Sequence, residues 1–254
     1  MNDQAPPIPT SLRLISVIEE IARAGVPVTP TEVNARLGLP KPTIHRLFAT
    51  LEAEGFVQRD IDGRSYAPGP RLRALSAGVL SSLRIRTARK AILRRLSTGI
   101  GETCNIALPD GDAMIYLERV ETEWPLRIQL PIGTRVPFHC TASGKMYLSS
   151  LTPAHLRAYI GSAPLEARTA ATLTEPETLR AELRAVREAD HALDREEFMD
   201  GMIAIAVPVR DASGRLVATL SAHAPDQRLD ADAALTHLPA LRSAALELSE
   251  LIAG

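Results

Sequence analysis

The chain has 254 residues, room for two domains of unequal size, and its net charge of −1 excludes a chain-wide basic surface, so any nucleic-acid contact must be local. A composition of 45% hydrophobic and 23% charged residues excludes intrinsic disorder, and the two cysteines, Cys104 and Cys140, exclude a disulfide framework or a cysteine zinc module. Aromatics make up only 4%, so the cores must be built from Leu, Ile, Val and Ala.

The first residues, Met1 to Pro7, are acidic and proline-rich with no apolar run behind them, which predicts a disordered arm over residues 1–9 rather than a signal peptide. No apolar run reaches the length of a membrane span. A reduced, cytoplasmic protein is expected.

Leu12, Ile15, Val17, Ile18 and Ile21 form a stripe at helical spacing, ended by Gly25 and Pro27. Thr29-Pro30-Thr31-Glu32 predicts a capped start to a short second helix that turns at Gly38. A third helix begins at Leu39-Pro40-Lys41-Pro42 and runs to Glu54 before Gly55. Ile44, Leu47, Phe48 and Leu51 fall on its core face, which turns Thr43, Arg46 and Thr50 outward with His45 and Ala49 on the flank. That outward face is short-chained, polar and basic near Lys41, as a helix entering the major groove requires. Two short strands around Asp62-Gly63 then make a hairpin, with Arg59 and Arg64 placed to meet phosphates. Helix, helix-turn-helix, hairpin is the order of a winged helix. The candidate DNA-binding residues are therefore Lys41, Thr43, His45, Arg46, Thr50, Arg59 and Arg64. A small helical domain that binds another protein would show the same helix pattern, so the hairpin and the charge beyond it decide between them.

No acidic residue stands between Asp62 and Glu102, whereas Arg64, Arg71, Arg73, Arg84, Arg86, Arg89, Lys90, Arg94 and Arg95 do. Leu72, Leu75, Val79 and Leu83 keep helical spacing through the first half, which predicts a linker helix over 70–85 beside a phosphate-facing wing. For Arg94 and Arg95 a helix facing acidic partners in the second domain is the competing expectation.

From about Thr103 the period becomes two. Cys104 to Leu108 and Ala113 to Glu118 predict a hairpin, Leu126 to Leu130 a third strand, and Ile203 to Val209 with Leu216 to Ser221 a second hairpin about Asp211-Ala212-Ser213-Gly214. Helices are expected over Gly144 to Leu151, Pro153 to Ile160, Pro176 to Ala189 and Ala231 to Ile252. Strands at both ends with helices between predict an α+β domain with one antiparallel sheet.

At Ser11-Leu12-Arg13-Leu14-Ile15, at Gly38 to Leu47, at Leu51 to Val57 and at Tyr66-Ala67-Pro68-Gly69 the sequence resembles the IclR family of bacterial transcription regulators. The resemblance resumes at Gly133 to Lys145, at Asp194 to Gly201 and at Ile205-Ala206-Val207-Pro208-Val209, in the family's order and spacing. Pro42 departs from it, standing where the family often has a phosphate-touching serine. The resemblance implies an N-terminal winged helix-turn-helix over 10–69, a linker helix, and a GAF/PAS-like effector-binding domain over 86–254. It implies an effector pocket formed by Ala142, Ser143, Asp194, Ala204, Ser221 and His223, with Ile128, Val136 and Met202 as an apolar wall. Ser221 and His223, two apart on one strand, share a face. Thr141 to Gly144 precedes a helix and offers amides and hydroxyls to an anion, though an ordinary capping turn has the same residues.

The expected partners are an operator in double-stranded DNA, a small organic or aromatic acid, and further copies of the chain as a dimer or a dimer of dimers. No membrane, cofactor or metal is expected. Two other functions compete: a sensor that acts through protein contacts without DNA, and a thiol enzyme built on His139 and Cys140. Against the enzyme, adjacent residues on an extended chain point to opposite faces and cannot form a base–nucleophile pair alone. Ser143-Gly144-Lys145 lacks the upstream glycine of a phosphate loop.

Overall fold

The computed structural model describes residues 8–60, 62–80, 83–125, 127 and 130–253. The chain divides into two compact units, one ending at Leu83 and the other beginning at Arg84.

The first unit holds α1 (Arg13–Ala24), α2 (Pro30–Leu37) and α3 (Lys41–Ala53), then β1 (Val57–Arg59), β2 (Tyr66–Pro68) and α4 (Pro70–Leu80). Gly25 ends α1 in the left-handed conformation at φ 66°. Its buried stripe is Val17 and Ile21 with Leu14 and Ile18 packed beside them. Leu12 and Ile15, expected on that stripe, are 47% and 51% exposed, because the 3.6-residue period that buries Val17 turns Ile15 outward. The capping box at Thr29 forms as expected: the Thr29 hydroxyl accepts from Glu32 N at 3.3 Å, and Thr29 N donates to the Glu32 carboxylate at 2.7 Å. Asn34 closes the next turn, its side chain donating to Leu39 O at 2.8 Å and accepting from Leu39 N at 2.9 Å. The hairpin β1–β2 is antiparallel, and Tyr66 also bridges Val28. At Gly69 a Cβ would sit 2.4 Å from Gly55 O, so only glycine lets β2 run against the end of α3.

The second unit holds α5 (Leu83–Ile100), β3 (Thr103–Asp110), β4 (Ala113–Val120), β5 (Arg135–Pro137), α6 (Ala142–Ser150), α7 (Pro153–Ser162), α8 (Pro176–Ala189), β6 (Ala192–Arg195), β7 (Met202–Arg210), β8 (Leu216–Pro225), α9 (Ala231–Thr236) and α10 (Leu238–Ala253). The strands form one antiparallel sheet in the order β5-β4-β3-β8-β7-β6. On one face Cys104, Ile106, Ile203, Ile205, Val207, Leu220 and Ala222 pack with Ile92, Leu93 and Leu96 of α5 and Leu241 and Leu248 of α10. The other face packs on α6 and α8 through Met114, Phe138, Met146, Leu148, Leu179, Leu183 and Val186.

The helix expected over Ala231 to Ile252 breaks at His237. Pro239 has no N–H to donate and its ring crowds the carbonyl four residues back. β5 and β6, of three and four residues, carry too little alternation to read as strands. Of the arm expected over 1–9, residues 1–7 lie outside the described residues, while Ile8 and Pro9 are engaged: Ile8 O accepts from Arg13 Nε at 3.1 Å and Pro9 O from Leu12 N at 2.9 Å. The strand expected at Leu126 to Leu130 lies largely outside the described residues, as do Ser81 and Ser82 of the expected linker.

Candidate effector cavity and nucleic-acid interface

In α3 the residues Ile44, Phe48 and Leu51 are buried and Leu47 half-buried, so the solvent face carries Pro42, His45, Arg46, Ala49, Thr50 and Ala53. His45 and Ala49 therefore stand on the exposed face, not its flank, and Thr43 is half-buried at its border. Lys41 is exposed at the first turn. Thr50 donates its hydroxyl to Arg46 O at 3.0 Å.

The hairpin is internally braced. Asp62 accepts from the amides of Arg64 and Ser65, both at 2.8 Å, and from the Ser65 hydroxyl at 2.6 Å, which holds its carboxyl below the usual range. Arg59, expected to meet phosphate, pairs with Glu52 at 2.9 Å, donates to Gly63 O at 3.0 Å and lies 5.0 Å over the Tyr66 ring. Arg59 thus ties the wing to α3, and Arg64 is the exposed arginine at its tip. Arg71 pairs with Glu54 at 2.7 Å.

In the second unit the basic segment is largely neutralised. Arg86, Arg89 and Lys90 surround the Glu118 carboxylate at 3.3, 3.9 and 3.9 Å, and Glu118 is fully buried. Arg95 pairs with Glu247. Of the two expectations for this segment, the geometry supports acidic partners for these residues.

The sheet face under α6 carries buried polar groups. Strand alternation sends Ala218, Leu220, Ala222 and Ala224 of β8 to α10, and Thr219, Ser221 and His223 to the opposite face. The register places Thr103, His223, Ala204 and Asp194 in one row across four strands, and Asn105, Ser221, Ala206 and Ala192 in the next. The small Ala204 and Ala206 leave space above the sheet. A cavity opens there with about 30 Å³ of room for solvent, lined by Thr141, Ala142, Ser143, Asp194, Met202, Ala204, Ser221 and His223. Tyr116, Leu130, Phe198, Met199 and Ile203 complete its wall. The resemblance did not nominate these five; the period-two pattern of β4 was the available signal for Tyr116.

Val136, expected in the wall, is not part of the lining. It sits on the edge strand β5 opposite Met114, buried with Phe138 and Leu148. Ile128 lies outside the described residues.

The chemistry of the cavity is specific. Thr141 caps α6, its hydroxyl accepting from Gly144 N at 3.0 Å and donating to Pro137 O at 2.7 Å. Helix geometry leaves the Ala142 and Ser143 amides with no acceptor inside the helix, and both residues line the cavity. Asp194 Oδ1 accepts from Glu197 N at 2.8 Å and Phe198 N at 3.3 Å. Burial, then the charge of Glu197, pushes its carboxyl up to about 7, so a neutral acid is accessible near neutrality. Lys145, fully buried, pairs with Glu197 and with Glu182 at 3.0 Å. Gly144 is forced by contact: a Cβ there would lie 2.2 Å from Phe138 O. His223 is buried, and its pKa is pushed down to about 3, first by burial and then by the charge of Arg119. His223 therefore meets a ligand as a neutral ring.

The thiol-enzyme reading has no support in this geometry. Cys140 is fully buried, which pushes its thiol up to about 12, and the His139 ring is bonded through Nε2 to Glu166 O at 2.9 Å. Among the described residues no helix is long and apolar enough to cross a membrane.

Residues 12–60 match the IclR helix-turn-helix domain, and residues 77–250 match the bacterial transcriptional regulator IclR C-terminal domain. The chain is 39% identical over 238 residues to a Cupriavidus necator protein named Probable transcriptional regulator SauR, covering 94% of each. Its fold is similar to that of the Thermotoga maritima IclR, with a TM-score of 0.63, 27% identity and coverage of 95% and 97% of the two chains. It is also similar to a Microbacterium hydrocarbonoxydans IclR homologue complexed with 4-hydroxybenzoate, with a TM-score of 0.62, 26% identity and coverage of 94% and 98%. Two matched domains in order, a winged helix ahead of a sheet with a buried polar face, and relatives named as regulators rather than enzymes agree: the chain belongs to the IclR family of DNA-binding transcription regulators.

Proposed function

We propose that residues 10–69 bind an operator and that residues 86–254 bind a small organic acid which modulates that binding, with 70–85 as the linker. The protein acts as a cytoplasmic homo-oligomer, a dimer or a dimer of dimers. The observation that carries the effector half is the cavity itself: buried donors at the start of α6 and at His223 face Asp194 across a space that holds about two waters. Helix amides and the Ser143 and Ser221 hydroxyls suit a carboxylate, and the half-neutral Asp194 can share a proton with it instead of repelling it. Met199 and Met202, unbranched and adaptable, form the part of the wall that yields to a larger acid such as an aromatic one.

For DNA, the exposed face of α3 reads bases through Arg46, with Lys41, Thr43, His45 and Thr50 around it and Arg64 on the backbone. Arg59 serves mainly by holding the wing. A gel shift with genomic promoter fragments tests the DNA half. Specific retardation by wild type that is lost in Arg46→Ala supports it; no retardation of any fragment favours a sensor acting through protein contacts.

A further inference from the structure

This inference rests on the effector reading above and concerns which atoms an effector must present. Arg119 and His223 belong to different strands, β4 and β8, and Asn105 of β3 lies between them. Arg119 Nη1 donates to Asn105 Oδ1 at 3.1 Å, and Asn105 Nδ2 lies 3.0 Å from His223 Nδ1. A guanidinium has donors only, so it dictates which end of the Asn105 amide faces it. The other end, the NH₂, therefore faces His223 and donates to Nδ1. A ring nitrogen that accepts cannot carry a proton, so the proton of the neutral imidazole sits on Nε2. All three side chains are buried, Asn105 completely, and Arg119 and His223 to within 8% and 7% of full burial. His223 Nε2 is buried with no hydrogen-bond partner among the described residues, and the residue lines the cavity. A buried donor without an acceptor is costly, and a ligand atom that accepts from it removes the cost. The charged groups acting on the ring, Arg119 and Glu121, pull in opposite directions, with Arg119 the stronger.

We propose that Arg119 and Asn105 are positioning residues that hold His223 as a fixed Nε2–H donor, so that this position selects effectors presenting an acceptor oxygen and rejects isosteres with a methyl group there. None of the three side chains needs to change protonation for this selection to operate. The relay spans three adjacent strands, so the choice of tautomer is made by the sheet rather than by the ligand.

The first test is ¹⁵N NMR of the full-length protein labelled at histidine, titrated from pH 5 to pH 8. The His223 signals are identified by their loss in His223→Gln. The expected spectrum is a neutral ring protonated at Nε2 throughout. A ring protonated at Nδ1, or at both nitrogens, overturns the proposal without touching the effector reading. Asn105→Asp should move a proton onto Nδ1, Arg119→Leu should allow both tautomers, and Arg119→Lys, which still donates to Asn105, should keep the wild-type spectrum. The wild-type result stands even if a variant does not fold.

The second test is calorimetry with two pairs of probes that exchange a hydroxyl for a methyl: glycolate against propionate, and 4-hydroxybenzoate against 4-methylbenzoate. In the pair that binds, wild type should favour the oxygen-bearing member at least tenfold, and His223→Leu should reduce that preference below threefold. Equal affinities in wild type overturn the proposal. Binding of none of the four overturns the small-acid reading, and the ligand half of the proposal with it.

Discussion

Lys145 is the residue whose sequence context was most open to misreading. Ser143-Gly144-Lys145 has the look of a phosphate-loop fragment, but Gly144 is there because nothing larger fits against Phe138, and Lys145 is there to hold Glu197. Lys145→Met leaves Glu197 buried with its main counter-charge removed. The variant should lose about 3–5 kcal/mol of stability, read by urea denaturation. Asp194 gives a pH signature. Its folded pKa, about 7, stands above the 3.8 of an ordinary aspartate, so its favourable contribution is complete below about pH 4 and is lost as pH rises through 7. Asp194→Asn keeps the oxygen that accepts from the Glu197 and Phe198 amides but removes the titration. The variant should therefore gain on wild type as pH rises from 4 to 8, by about 4 kcal/mol. A melting-temperature difference that stays flat over that range would refute the assignment. Neither Lys145 nor the raised pKa of Asp194 was legible in the sequence, because both depend on partners brought together from α6, α8 and the segment after β6.

At the scale of elements, local chemistry was more readable than packing. Thr29, Pro30 and Glu32 announced the start of α2, and Gly25 the end of α1, because caps are written in adjacent residues. The core face of α3 was legible from its spacing, and the structure turns its exposed face enough to bring His45 and Ala49 onto it and leave Thr43 at its border. Arg46→Ala should weaken specific operator binding by about 1–3 kcal/mol and relax preference at one base position, measured by fluorescence anisotropy. By contrast, the run of positive charge from Arg64 to Arg95 did not reveal that three of its residues, Arg86, Arg89 and Lys90, surround the buried Glu118, since the acid stands on a strand far along the chain. Glu118→Ala removes the buried carboxylate shared by Arg86, Arg89 and Lys90 and should cost about 3–5 kcal/mol, more than Arg86→Ala, whose side chain is 48% exposed. Of the seven residues selected for the DNA face, Arg59 is tied to Glu52, a pairing that needs the hairpin folded back on α3.

For the molecule as a whole, the switch of period from helical to two near Thr103 carried the fold class, and the family's blocks carried the order of the domains. The site was less legible: Ala142, Ser143, Asp194, Met202, Ala204, Ser221 and His223 come together around one cavity, while Val136 belongs to the core and the Arg119–Asn105–His223 relay has no local signature. Leu75 and Val79 stand 56% and 59% exposed on α4, an apolar pair suited to a seam with a second copy. Sedimentation should show a dimer or larger species at micromolar concentration; a monomer with full DNA affinity would contradict that. The central claim is that a small acid in the cavity alters operator binding. The direct measurement is anisotropy of a labelled promoter fragment, titrated with small organic acids, for wild type and for Ser143→Ala/Ser221→Ala, with melting temperatures taken in parallel. The account predicts an acid that shifts wild-type DNA affinity at least tenfold and leaves the double variant unmoved, while the variant melts normally and binds DNA as tightly as effector-free wild type. A normally melting double variant that still responds to the acid with wild-type affinity would contradict it.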